Sequence, residues 1–82
     1  MTTIGILIAD DHTLFREGLT AILDAAPDTK VVGEAADGHE AISQTLSLSP
    51  DVVLMDIMMP GLNGIEATQR ILKSRPETGI LC

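Results

Sequence analysis

Three aspartates that follow two apolar segments are the residues of this 82-residue chain best suited to chemistry. Asp10 and Asp11 come directly after the run Ile4–Ala9, and Asp56 comes directly after residues 51–55. If these two runs are neighbouring parallel strands, the three carboxylates meet at one edge of the sheet. Carboxylate ligands favour Mg²⁺, Ca²⁺ or Mn²⁺ over zinc, and a site that leaves room for water and phosphate suits Mg²⁺ best. The pattern indicates a metal or phosphoryl site.

A plainer interpretation of each aspartate remains open. A single Asp after a strand is usually a turn former or the N-cap of a helix. Three converging carboxylates are harder to explain in this way, because neither segment contains a basic residue to neutralise them. Two like charges about 4 Å apart repel by roughly 4 kcal/mol at an effective dielectric constant of about 20. Spacing alone leaves both interpretations standing.

The elements that would position these aspartates alternate between strands and helices. Ile4–Ala9 is a continuous apolar run, typical of a strand that is buried on both faces. Further strands are predicted at residues 30–36, 51–55 and 78–82, the first of them at an edge of the sheet. The alternation predicts right-handed βαβ units on one parallel sheet, and the length allows a single domain.

Apolar residues at helical spacing predict three helices between these strands. They lie at residues 13–26, with Thr13 as the candidate N-cap, at residues 38–49 after an Asp37 cap paired with Glu40, and at Gly64–Ser74. The side chains expected to face the core are Phe15, Leu19, Ile22, Leu23 and Ala26 in the first, Ala41, Ile42, Thr45 and Leu46 in the second, and Ile65, Thr68, Ile71 and Leu72 in the third.

Composition argues against several functions. Twelve acidic and five basic residues give a net charge of −7, whereas nucleic-acid binding needs a basic surface. One Phe, with no Tyr or Trp, provides no platform for stacking bases. Cys82 is the single cysteine, which excludes an internal disulfide and a thiolate metal cluster. The N-terminal apolar run is too short for a signal peptide or a membrane span, so we expect a cytoplasmic protein without a membrane partner.

Three stretches of the sequence resemble the receiver domain of two-component response regulators. They are residues 6–12 (ILIADDH), 34–38 (EAADG) and 51–64 (DVVLMDIMMPGLNG), and the last is highly specific. The similarity covers the whole chain in order and spacing. Residues 16–19 (REGL) further resemble the subgroup in which a LuxR-type helix-turn-helix output domain follows the receiver. The resemblance implies a flavodoxin-like α/β fold, a doubly wound parallel sheet with strand order 2-1-3-4-5.

The resemblance also implies a role for each member of the acidic group. Asp56 matches the phosphoacceptor, the nucleophile that takes a phosphoryl group from the phosphohistidine of a sensor histidine kinase. Asp11 matches a direct ligand of Mg²⁺, and Asp10 matches a carboxylate that holds the ion mainly through water. Asp56 itself and the main-chain carbonyl of Met58 complete the implied metal site. The turn beside the acceptor matches at Pro60, Gly61 and Gly64.

The same resemblance implies that the receiver over residues 1–82 is incomplete. The family's switch Thr or Ser and its lysine would lie after Cys82, as would the last strand and the last two helices, so the fold is expected to be truncated after the start of its fourth strand. DNA contact would require an output domain that is also outside the chain. We expect the chain to catalyse at most its own phosphorylation, to react poorly, and to form homo-oligomers through uncovered sheet surface.

Two alternatives come from other classes of protein. A haloacid-dehalogenase-like phosphatase also uses an aspartate nucleophile with Mg²⁺, but it needs a second Asp at the position that Met58 occupies. The other alternative is a truncated, signalling-incompetent fragment that self-associates.

Of the smaller features, His12 is expected to be a loop residue that could tune metal affinity, and His39 is expected to be exposed. The methionines at positions 55, 58 and 59 are expected to serve core and loop packing.

Overall fold

The strand β1 (Ile4–Ala9) lies in the middle of the sheet because its side chains are apolar on both faces. In the computed structural model, which describes residues 3–82, β1 pairs with β2 (Thr29–Ala35) on one side and with β3 (Val52–Met55) on the other. A fourth strand, β4 (Gly79–Leu81), pairs with β3. All pairs are parallel and the order is β2-β1-β3-β4, so the predicted parallel sheet and the edge position of β2 are confirmed.

Three helices connect the strands close to the predicted bounds: α1 (Thr13–Ala25), α2 (Gly38–Leu48) and α3 (Gly64–Ser74). The predicted N-cap of α1 was wrong. His12 holds that position and Thr13 is the first helical residue, and within residues 3–82 no side chain caps this helix. None of the helices within residues 3–82 is long and apolar enough to cross a membrane.

The other two helices begin with side-chain caps. The Asp37 carboxylate accepts the main-chain N–H of Glu40 at 2.8 Å, as predicted, and Asn63 accepts the N–H of Glu66 at 3.0 Å. The Glu40 carboxylate reaches the N–H of Ala36 at 3.4 Å rather than that of the cap residue, so the pair is only partly a capping box. These caps fix where α2 and α3 start relative to the sheet.

One face of the sheet carries a continuous buried core under α2 and α3. Alternate residues of a strand share a face, and the register Leu7↔Val53 and Ala9↔Met55 aligns the apolar residues of β1 and β3 on this side. Met55 is buried as expected, whereas the side chain of Met58 is 80% exposed and packs less than predicted. The core cluster consists of Leu7, Ala9, Ala35, Ala41, Val53, Met55, Met59, Leu62, Ala67 and Ile71.

The predicted inward faces of α2 and α3 were only partly right. Ala41, Thr45 and Ile71 are buried, and Ile42 packs partly against the core. Several larger residues lie on the exposed side instead, and α3 directs mainly small residues into the core. The exposed residues are Leu46, Ile65 and Leu72, and the small residues that α3 buries are Gly64 and Ala67.

The opposite face of the sheet is covered by α1, and the predicted apolar stripe of this helix is largely exposed. Every residue of α1 is described and none of them is buried. Phe15 is 55% exposed and Ile22 is 68% exposed, while Leu19 and Leu23 are half-buried. Ala26 follows the helix and is exposed. The expectation of a buried stripe failed because periodicity identifies an apolar face but not what covers it.

Candidate functional site

The carboxyl ends of β1 and β3 carry the predicted aspartates side by side. Ile8 of β1 is in register with Leu54 of β3, and each aspartate follows two residues later on the same face. The N–H of Asp56 donates to the carbonyl of Ala9 at 2.8 Å, which extends the strand pairing to Asp56. Two neighbouring parallel strands thus bring Asp10 and Asp56 to one edge of the sheet.

Four side chains converge at this edge. One donor atom each from Asp10, Asp11, His12 and Asp56 lies within 4.8 Å of all the others. The side chains of Asp10 and Asp56 are 12% and 21% exposed, and that of Asp11 is 34% exposed. The structure therefore brings together the three aspartates that the sequence singled out, in a pocket that is open on one side.

His12 belongs to this cluster as well as to the loop before α1, so the possibility that it tunes metal affinity stays a prediction. Its Nδ1 lies 2.6 Å from Asp10 Oδ1, 3.3 Å from Asp11 Oδ1 and 3.8 Å from Asp56 Oδ2. The hydrogen bond with Asp10 and then the negative charge of Asp11 raise the pKa of His12 above its ordinary value. The available signal was the position of the histidine directly after the acidic pair.

The loop after β3 holds the Asp56 carboxylate by one oxygen. The N–H of Met58 donates to Asp56 Oδ1 at 3.1 Å, while Oδ2 is the oxygen nearer His12. Gly61 has a φ of 71°, the left-handed backbone that a glycine turn allows. Gly64 lies so close to the backbone of Asp56 and Ile57 that a Cβ there would collide with it. The metal role of the Met58 carbonyl stays a prediction.

Arg16 supports the pocket from α1, and the sequence interpretation missed this role. Its Nη1 donates to the main-chain carbonyl of Asp10 at 2.5 Å, and its Nε donates to Glu34 Oε1 at 3.1 Å. The side chain is only 16% exposed. Because Glu34 belongs to β2, this arginine ties the turn after β1 to the neighbouring strand. The sequence signal for this role was the position of Arg16 in the REGL stretch, residues 16–19.

A groove of about 320 Å³ opens beside the acidic cluster. Its apolar walls come from both sides of the gap between α1 and the strands, and its polar end includes the Asp10 and Asp56 side chains. The remaining lining residues are Ile8, Ala9, Phe15, Leu19, Leu54, Met55, Leu81 and Cys82.

The parallel strand order β2-β1-β3-β4 is that of a flavodoxin-like fold, and the acidic pocket lies at the carboxyl ends of its strands. The chain belongs to the response regulator receiver domain family, whose model matches residues 6–82. It is 47% identical over 78 residues to the transcriptional regulatory protein LiaR of Bacillus subtilis, a match that covers 95% of this chain and 37% of the relative. The chain is therefore the receiver domain of a two-component response regulator and spans well under half of that relative.

Solved structures show the same fold. The response regulator domain of Thermotoga maritima CheB matches with a TM-score of 0.91 and 49% identity, over 95% of this chain and 57% of that one. A LuxR-family two-component response regulator from Aurantimonas matches with a TM-score of 0.90 and 39% identity, over 96% of this chain and 56% of that one. The flavodoxin-like fold inferred from the sequence is confirmed.

Proposed function

We propose that Asp56 accepts a phosphoryl group from the phosphohistidine of a sensor histidine kinase. Mg²⁺ would be held by Asp11, by Asp10 mainly through water, by Asp56, and by the main-chain carbonyl of Met58. The observation that carries this proposal is the convergence of the three carboxylates at one edge of the sheet. Their oxygens are the hard donors that Mg²⁺ prefers, so the residues present fit the ion.

The geometry supports Asp56 as the nucleophile. The Met58 N–H restrains Oδ1, which orients the carboxylate and leaves Oδ2 facing the pocket, 3.8 Å from His12 Nδ1. In the transfer, a bond forms between an Asp56 oxygen and phosphorus while the bond between phosphorus and the donor nitrogen breaks. When bound, Mg²⁺ supplies positive charge that offsets the repulsion between the carboxylates and the incoming phosphoryl oxygens.

Phosphoryl uptake from radiolabelled acetyl phosphate with Mg²⁺ tests this proposal. The unchanged chain should incorporate label at Asp56. Asp56→Asn should abolish incorporation, while Asp28→Asn, a matched control just before β2 at the other end of the sheet, should not change it. Incorporation into the Asp56→Asn chain at the rate of the unchanged chain would overturn the proposal. Steady hydrolysis of a phosphate ester would favour the phosphatase alternative.

For the whole protein we propose a cytoplasmic transcription regulator in which this receiver controls a LuxR-type DNA-binding output domain. The similarity to a LuxR-family regulator and to LiaR supports this class. The net charge of −7 agrees with DNA contact through the output domain alone. A full-length protein whose promoter affinity is insensitive to phosphorylation at Asp56 would contradict it.

A second proposal is that the 82-residue chain self-associates through its α1 face. The specific observation is the exposure of large apolar side chains there, including Phe15 at 55% and Ile22 at 68%. Burial of such surface favours association with a second copy. Sedimentation velocity at micromolar concentration should show a dimer or larger species that Phe15→Ser disrupts. Ile65→Ser, at an equally exposed position on α3, is the control. A monomer at all concentrations would contradict this proposal.

A further inference from the structure

The imidazole of His12 lies beside the three carboxylates of the acidic pocket, close enough for its ring nitrogen to join them around one cation. Its Nδ1 faces all three carboxylates, at 2.6, 3.3 and 3.8 Å from the nearest oxygen of Asp10, Asp11 and Asp56. An ion about 2.1 Å from each donor would separate adjacent donors by roughly 3.0–3.4 Å and opposite donors by about 4.2 Å. The separations of 3.3 and 3.8 Å fall within this range, whereas the 2.6 Å contact with Asp10 is a hydrogen bond that a shared ion would replace and lengthen.

The backbone holds His12 in this position. Its main-chain N–H donates to the same Asp10 oxygen that the ring contacts, at 2.8 Å. The connection from β1 to α1 is only three residues long, which fixes the backbone of His12 beside the pocket. Arg16 holds the Asp10 carbonyl from the other side. The His12 side chain is 69% exposed, so its ring is held by the contact with Asp10 rather than by burial.

Resting on the phosphoacceptor function proposed above, we propose that His12 Nδ1 is a fourth ligand of this pocket and gives it a preference for late first-row ions. With an imidazole added, the donor set changes from oxygen alone to mixed nitrogen and oxygen. Imidazole suits Zn²⁺, Ni²⁺ and Co²⁺, whereas Mg²⁺ takes oxygen donors and keeps several waters. His12 is thus a specificity-determining residue that lets Zn²⁺ or Co²⁺ compete with Mg²⁺ for the pocket.

The test measures Zn²⁺ and Mg²⁺ affinities by titration calorimetry at a pH of about 8, above the ordinary imidazole pKa. All variants carry Cys82→Ser, because this exposed thiol lines the adjoining groove and is a competing zinc ligand. His12→Gln should lower the ratio of Zn²⁺ to Mg²⁺ affinity by about tenfold or more, at least the loss caused by removing an outer-shell partner of a metal ligand. His39→Gln, which changes the other histidine of the chain, should leave the ratio unchanged.

X-ray absorption at the zinc edge provides a second readout that a purely structural role of His12 would not move. The zinc-loaded chain should show imidazole scattering that His12→Gln removes and His39→Gln retains. Scattering that survives His12→Gln, or an equal loss of affinity for both ions, would overturn the inference.

These measurements distinguish a failure of this inference from a failure of the proposed function. If Mg²⁺ still binds and Asp56 is still phosphorylated while His12→Gln leaves the ratio unchanged, the inference alone is overturned. If neither ion binds, or if both bind and Asp10→Asn leaves both affinities unchanged, the pocket is not a metal site. Both the inference and the metal part of the proposed function are then overturned.

Discussion

The two faces of the sheet differ in how completely they are buried. Under α2 and α3, Leu7, Ala9 and Val53 are fully inaccessible and contact small or apolar residues of both helices. On the α1 face, Leu54 of β3 is only half-buried and Phe15 of the helix is 55% exposed. The strands are apolar on both faces, so the difference comes from the layer that covers them.

This difference separates the larger core from the part of the chain that holds the acidic cluster. The core cluster lies on one face, whereas the α1 face buries Ile6 and Ile8 and has Asp10 and Asp56 at its edge, beside the open groove. Burying a charge in a packed core is costly, so a cluster of carboxylates belongs on the open side. The core holds the strand ends in register, and the open face makes them accessible.

Core truncation should give the largest contrast between the two faces. Leu7→Ala removes a fully buried side chain and should lower the free energy of unfolding by about 2–5 kcal/mol. Ile22→Ala, at a position that is 68% exposed on α1, should change it by no more than about 0.5 kcal/mol. Urea unfolding at low protein concentration measures both. Equal losses would show that the α1 face is covered in solution.

Added methyl groups at two helical glycines should act in opposite directions. Gly64→Ala on α3 forces a Cβ into the backbone of Asp56 and Ile57 and should cost about 1–3 kcal/mol. At Gly18 on α1, nothing among the described residues lies within 4 Å of the new Cβ. Gly18→Ala should therefore stabilise the chain by about 0.5–1 kcal/mol through helix propensity. Thermal unfolding measures the direction of each change in stability. A destabilising Gly18→Ala would mean that this side of α1 is packed.

Helix capping should show a smaller effect on the core side. Asn63→Ala removes the acceptor for the N–H of Glu66 and should cost about 1 kcal/mol. Asn63→Asp keeps the acceptor and is the control, with an expected change of a few tenths of a kcal/mol. Because α3 begins next to the Asp56 loop, chemical shifts of that loop should move in the alanine variant. If Asn63→Ala changes neither the stability nor the chemical shifts, packing alone defines the start of α3.

The smallest effect is expected at His12, on the open side. Without metal, the raised pKa of its imidazole means that the folded chain binds the proton more tightly than the unfolded chain does. The stabilisation is complete below the ordinary pKa of about 6.5 and is lost as the pH rises through the raised value. With EDTA present, His12→Gln should lower the unfolding midpoint between about pH 5 and 6.5 but not at high pH. A pH-independent difference would contradict this interpretation.

Local patterns were sufficient for much of the fold. The apolar runs, the Asp37 cap and the strand-ending aspartates have signals within a few residues of sequence, and all three lie where they were expected. The inward faces of the helices were less predictable. Ile65 and Leu72 satisfy helical spacing, yet α3 buries Gly64 and Ala67 instead, and Gly64 lies directly against the backbone of the loop after β3.

The order of strands and helices and the set of aspartates that end the strands follow from hydrophobic periodicity and residue type, which are local properties of the sequence. The burial of the apolar faces, and the contacts that the His12 ring and the Arg16 guanidinium make with Asp10, are set by the fold as a whole. Such contacts depend on how helices rotate and how strands align, and these are outcomes of packing between segments that are distant in the chain.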